Sequence, residues 1–171
     1  MSITLDGSNL TTTGVINSGT AQNSTSGTSI DFTSIPSGVR RVTVMLNGTS
    51  LSGTSNIRFQ LGSSGGVETT GYATANVNLQ QAGTVTVQNI TAGFDLNIGV
   101  AADAVSGHLV LTNISGNIWI GSGVFASTSG TTTIFNTAGS KTTAATLDRI
   151  RITTVNGTDT FDAGSINILY E

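Results

Sequence analysis

The chain has no cysteine, a single histidine, a single proline and few charges: Lys and Arg number 6 and Asp and Glu 9 in 171 residues. Without cysteine there can be no disulfide, no thiolate nucleophile and no Cys-based zinc site, and the redox compartment stays open. The net charge of −3 comes from sparse charges of both signs. No broad basic field exists to attract phosphates, so nucleic-acid binding is not expected. No window approaches the roughly 18 apolar residues that a membrane helix needs. The opening Met1-Ser2-Ile3-Thr4-Leu5-Asp6-Gly7 has neither a basic n-region nor an apolar h-region, so the expectation is a chain without a signal peptide or membrane insertion.

Gly, Ser, Thr and Asn together supply 86 of the 171 residues. Soluble helices are built from Ala, Leu, Glu, Lys, Arg and Gln, whereas Thr, Val, Ile and Asn-Gly pairs suit pleated strands and tight turns. Gly and Ser alone could indicate disorder. A hydrophobic share of 37% and a mean hydropathy of +0.17 are too apolar for a solvated coil. The length suits one domain, or one domain with an arm.

Residues 1–28 are sparse in large apolar groups, with Ile3, Leu5, Leu10, Val15 and Ile16 scattered among small polar residues. They read as an extended N-terminal arm, anchored by Ile3, Leu5, Leu10 and Ile16 on a partner surface, because ordering such a segment must be offset by contacts. From residue 29 to 171 the pattern is one of strands. Ile30 and Phe32 flank Asp31, and Val42, Val44 and Leu46 share a face. Asn47-Gly48 is a turn signal, at or near which the chain should reverse. Ile57, Phe59 and Leu61 alternate with Arg58 and Gln60, implying a strand with one aqueous face, and Gly62-Ser63-Ser64-Gly65-Gly66 reads as a hairpin loop. Val77 and Leu79 mark a strand, as do Val85 and Val87. Phe94, Leu96, Ile98 and Val100 alternate at period two, and Leu109 to Leu111 and Ile118 to Ile120 flank a turn at Ser115-Gly116-Asn117. Ile150 and Ile152, then Ile166, Ile168 and Tyr170, suggest a terminal hairpin turning at Asn156-Gly157. Eight to ten short strands without helical periodicity predict an all-β fold, an antiparallel β-sandwich or jelly roll.

Chemistry-bearing residues are few. His108 has no partner that the sequence can place beside it, and reads as a surface or strand-edge residue. Asp148, Asp159 and Asp162 are close enough in sequence to raise the question of Ca²⁺, yet their spacing matches no calcium loop, and Asp commonly serves turns. Glu68 is the one internal Glu, too few for a glycosidase pair. No catalytic residue, cofactor or metal site is assigned. Trp119, Tyr72 and Tyr170 are candidate contact residues, either stacking on sugar rings or packing in a core or interface. Arg40 and Arg58, on polar phases of strands, are candidates for subunit or receptor contact.

Four stretches are familiar in combination: Ile3-Thr4-Leu5-Asp6-Gly7; Ser29 to Val44, containing Ile35-Pro36-Ser37-Gly38-Val39-Arg40-Arg41; Glu68-Thr69-Thr70-Gly71-Tyr72; and Asp148 to Ile168. Together they resemble tail-fibre-like structural proteins of tailed-bacteriophage virions, over nearly the whole chain. The resemblance implies a non-enzymatic virion protein, made in the host cytoplasm, that self-associates, with a trimer favoured. It also implies contact with other virion proteins through the arm and with a host-surface glycan or protein. A capsid cement or head-decoration role is the alternative, and a carbohydrate-binding module is a third reading.

Overall fold

The computed structural model describes residues 15–171. The expected arm anchors Ile3, Leu5 and Leu10 lie outside the described residues. Within them the chain is all-β, with strands β1 (Asn17–Ser18), β2 (Gln22–Asn23), β3 (Ser29–Phe32), β4 (Arg41–Leu51), β5 (Ile57–Ser63), β6 (Gly66–Val67) and β7 (Tyr72–Gln80). They are followed by β8 (Val85–Ile90), β9 (Phe94–Leu96), β10 (Val105–Ser115), β11 (Ile118–Ser127), β12 (Thr133–Thr142), β13 (Arg149–Thr154) and β14 (Phe161–Tyr170). The strands outnumber the eight to ten expected, because β1, β2, β6 and β9 are only two or three residues long and carry too little alternation to read.

All pairings are antiparallel and form two sheets packed as a sandwich. The larger runs β1-β14-β4-β10-β11-β12-β7-β8, with β2 also on β14; the smaller runs β3-β13-β5-β6, with β9 also on β5. Alternation turns one face of each strand inward. Val42, Val44, Leu109, Leu111, Phe125 and Phe135 from the large sheet meet Ile57, Phe59, Leu61, Ile150 and Ile152 from the small one, all 0–1% exposed. Phe59 stacks on Phe125 across the interior, with ring centroids 5.6 Å apart, a geometry that adds to simple area burial.

Several local expectations hold. The Ser64-Gly65 turn joins β5 to β6, and Gly116-Asn117 joins β10 to β11, where Ser115 lies opposite Ile118. Others are corrected by long-range pairing. Asn156-Gly157 does turn the chain, but β13 and β14 do not form a hairpin: β13 belongs to the small sheet and β14 to the large one. Their apolar faces meet across the core instead of lying side by side, and residue alternation is the same in both arrangements. The reversal expected at or near Asn47-Gly48 comes only after Leu51. β4 continues through that pair, with Asn47 opposite Ser165 and Ser50 opposite Ala163 on β14, so Gly48 and Thr49 form a β-bulge against Gly164. Gly48 adopts φ +60° and Gly164, across the ladder, φ +91°; a side chain on Gly164 would run into the Gly48 carbonyl. The described part of the expected arm, residues 15–28, lies on the chain's own sheet. Asn17 pairs with Tyr170 and Gln22 with Ile166, while Gly19 N–H donates to Ile168 O at 2.8 Å.

The inward face of β7 is polar. Tyr72, Thr74, Asn76 and Asn78 are buried, whereas Leu79 is 45% exposed. The reason lies in β9, which pairs with β5 along one edge and directs alternate carbonyls away from it. Those carbonyls are met by side chains of β7: Thr74 Oγ1 donates to Gly93 O at 2.6 Å, Asn76 Nδ2 to Asp95 O at 3.2 Å and Asn78 Nδ2 to Asn97 O at 2.5 Å. Two-residue steps on β7 match two-residue steps on β9, and the result is a polar seam between the sheets. Leaving a buried acceptor unpaired costs about 1–3 kcal/mol. Thr74→Val, which removes the donor to Gly93 O at nearly constant side-chain volume, is therefore expected to lower unfolding free energy by about that amount in urea titrations, whereas Val87→Ala, on the open side of the sheet, should shift it by less than about 0.5 kcal/mol. Equal effects would contradict the assignment of faces.

Candidate binding surfaces

The five candidate contact residues fall into different environments. Tyr72 is 3% exposed. Its hydroxyl accepts from Leu61 N–H at 2.7 Å and donates to Glu68 O at 2.9 Å, and its ring meets Phe94 edge-on at 6.0 Å. Burial pushes its phenol pKa well up. Tyr72 is thus a packing residue, placed away from any surface. Arg58 is likewise occupied: Nε and Nη2 each reach an Asp95 carboxylate oxygen at 2.8 Å, with Asp95 almost fully buried. The face expected to be aqueous is therefore mostly covered, and Gln60, beside it, donates to Ala92 O at 2.9 Å.

Trp119 and Arg40 are brought together. Trp119, inward on β11 and 3% exposed, lines a cleft of about 270 Å³ with Arg40, Asn113, Asn117, Val39 and Leu147 among its walls. Tyr170 and Ile16 share a second, much smaller hollow of about 40 Å³ beside Arg41 and Glu171. His108 lies on the outward face of β10, opposite Val124 and Met45. The three hairpin-region aspartates are not gathered around one point. Asp148 pairs with Arg149 at 2.7 Å, Asp159 accepts from Ser55 N–H at 2.8 Å, and Asp162 accepts from the Ser50 hydroxyl. Among the described residues no three His, Asp or Glu side chains converge as a metal site.

The outward faces of the two sheets differ in a way that sequence reading missed. On the small sheet the outward residues are ion-paired: Arg151 to Asp31 through two bonds of 2.7 Å, and Arg58 to Asp95. On β8, β7, β12 and β11 of the large sheet, the outward residues carry no charge at all. Val87 lies opposite Val77, Val77 opposite Asn136, and Asn136 opposite Val124; Val85 lies opposite Leu79, and Leu79 opposite Ile134. These rows leave Val87 69%, Val85 58%, Val124 54%, Leu79 45% and Ile134 41% exposed. Isolated exposed apolar residues are ordinary, but a contiguous sheet of them marks an interaction surface. The signal was present in the sequence as uncharged strands apolar at Val77, Leu79, Val85, Val87, Val124 and Ile134. It could not be assigned to a face without knowing that Asn76 and Asn78 point inward.

One ion pair joins the large sheet to the segment after β6. Lys141 Nζ lies 2.6 Å from Glu68 Oε2 and 5.2 Å from the Tyr72 ring centre. Burial opposes ionisation of Glu68, but bonds from Lys141 and the Ala144 N–H, together with the ammonium charge, outweigh it and hold the carboxyl below its ordinary range. A lowered folded-state pKa contributes stability that is complete above the unfolded value near 4.5 and fades as pH falls through the folded one. The stability gap between the native chain and Glu68→Gln should therefore be largest at neutral pH and narrow below about pH 4.5. Thermal melts across pH 3–7 check this, and a gap that widens in acid would reverse the sign.

No protein-family model, curated protein sequence or solved structure matches the chain in comparison.

Proposed function

We propose that the protein is a structural component of a bacteriophage virion, a tail-fibre-like module that associates with copies of itself, as a trimer, and contributes to attachment at the host surface. The reading joins the resemblance of its strand-and-turn stretches to one structural observation, the uncharged apolar outward face of β8, β7, β12 and β11. Five adjacent strands, counting β10, are nine to eleven residues long except for the six-residue β8, and at about 4.8 Å spacing and about 3.3 Å per residue they offer roughly 730 Å². That is about what each partner contributes to a standard stable interface. The charged small-sheet face opposite suits solvent or the particle exterior. In this reading the protein catalyses nothing; its work is to be held in an assembly and to touch.

The test is solution mass as a function of concentration, with particle imaging to locate the chain. Sedimentation equilibrium should give about three times the 17.3 kDa chain mass. Val124→Lys, which places a charge in the middle of the face, should shift the distribution to monomer. A native chain that stays monomeric at every concentration, or a Val124→Lys variant that still assembles, would sink the association reading. Density tiled over a head shell would replace fibre-like attachment by capsid decoration.

A further inference from the structure

We infer that the Arg40 cleft is a binding site for a sugar acid, whose carboxylate is taken by the guanidinium of Arg40. The inference starts from charge pairing. Among the described residues Arg41, Arg58, Lys141, Arg149 and Arg151 each have a carboxylate partner, and Arg40 has none. It is held instead by a neutral group: Nη1 donates to Asn113 Oδ1 at 2.6 Å. Asn113 is itself fixed, because its Nδ2 donates to Gly116 O at 2.9 Å and Ile118 O at 3.1 Å within the β10–β11 turn. The Arg40 backbone is equally fixed, with its N–H on Glu171 O at 2.7 Å and its carbonyl accepting from Asn113 N–H at 2.8 Å. One edge of the guanidinium is thereby spent on orientation. The Nε and Nη2 edge makes no hydrogen bond among the described residues, and a planar two-donor edge is the shape that binds a carboxylate through two parallel bonds.

The surroundings set the rest of the ligand. The cleft holds about 270 Å³, slightly under the roughly 300–1,000 Å³ of sites for drug-sized ligands, so it suits a single ring-sized unit. Val39, backed by the buried edges of Trp119 and Leu147, gives it a small apolar patch for the C–H face of a sugar ring. The Asn117 side chain, which has no hydrogen-bond partner among the described residues, offers both a donor and an acceptor to ring hydroxyls. The arrangement is set before the ligand arrives, which removes part of the ordering cost of binding. A carboxylate alone would use only Arg40, and a neutral sugar only the patch and Asn117.

This inference deepens the attachment role proposed above and rests on it for where such a ligand is met. The chain carries its own reporter, since Trp119 is the single tryptophan. The full chain is titrated with glucuronate, glucose, acetate and inorganic phosphate, following Trp119 emission and, in parallel, heat by calorimetry. Glucuronate is expected to bind saturably, more weakly as salt rises, and at least about tenfold more tightly than the other three, the equivalent of one good polar contact. Arg40→Gln should abolish that preference with an unchanged melting temperature, and Asn113→Ala should weaken binding several-fold while leaving the fold intact. No heat and no emission change with glucuronate, equal binding of glucose, or an unaffected Arg40→Gln variant each overturn the site. Acetate or phosphate binding as tightly as glucuronate overturns the sugar-acid assignment. Mass measured on the same samples separates the two ideas: binding by a monomer counts against assembly alone, and a trimer that ignores glucuronate counts against the cleft alone.

Discussion

The fold depends on how the free edge of a three-residue strand is satisfied. β9 gives one edge to β5 and leaves carbonyls of Gly93, Asp95 and Asn97 facing away, deep between the sheets. A fourth backbone ladder would need a strand there; the chain supplies side chains instead. Thr74, Asn76 and Asn78 act as substitute donors spaced to the backbone repeat. Burying a carbonyl unpaired is costly, and the seam pairs these three while leaving only the Oδ1 atoms of Asn76 and Asn78 without a partner among the described residues, so it fixes the register of β7 against β9 and, through β5, of one sheet against the other.

That seam has a consequence on the far side of the sheet. With the polar positions of β7 committed inward, Val77 and Leu79 must point outward, and they join Val85 and Val87 of β8 and Val124 and Ile134 beyond. The apolar surface there follows from the interior geometry. A hydrophobic face without charge costs solubility, and native proteins generally guard such surfaces and the neighbouring edge strands with Lys, Pro or bulges. β8 has none of these along Val85–Ile90. It is on this unguarded face that the proposed self-association rests.

Electrostatics divides the molecule in the same way. Six cations serve 171 residues, and five of them are spent on ion pairs, most of them around the small sheet, where Arg58–Asp95 ties β5 to β9 and Arg151–Asp31 ties β13 to β3. The more exposed of these, Arg41–Glu171, Arg149–Asp148 and Arg151–Asp31, contribute little stability each, whereas Arg58–Asp95 and Lys141–Glu68 are largely buried. Their effect here is to leave one guanidinium, Arg40, uncommitted to any carboxylate among the described residues and pre-set by an asparagine. In a chain with so few charges, where each one goes carries unusual weight.

The sequence by itself determined the all-β class, the strands at Ile30, Val42–Leu46, Ile57–Leu61, Ile118–Ile120 and Ile150–Ile152, and the turns at Gly65 and Gly116, because alternation and turn chemistry are local. It also singled out Trp119 and Arg40, though as unrelated candidates. It did not separate the bulge after Asn47 from the reversal that follows Leu51, and it misread the ending as a hairpin, since a glycine at positive φ serves a bulge as readily as a turn, and alternating strands look alike whether they are neighbours or opposite layers. Only the tertiary structure decided that Tyr72 and Arg58 are occupied inside the fold, that Asn76 points inward and Val87 outward, and that Arg40 and Trp119 share a cleft. These outcomes depend on which strand lies next to which, and that is set by pairing between residues far apart in the chain, a constraint no short window of sequence contains.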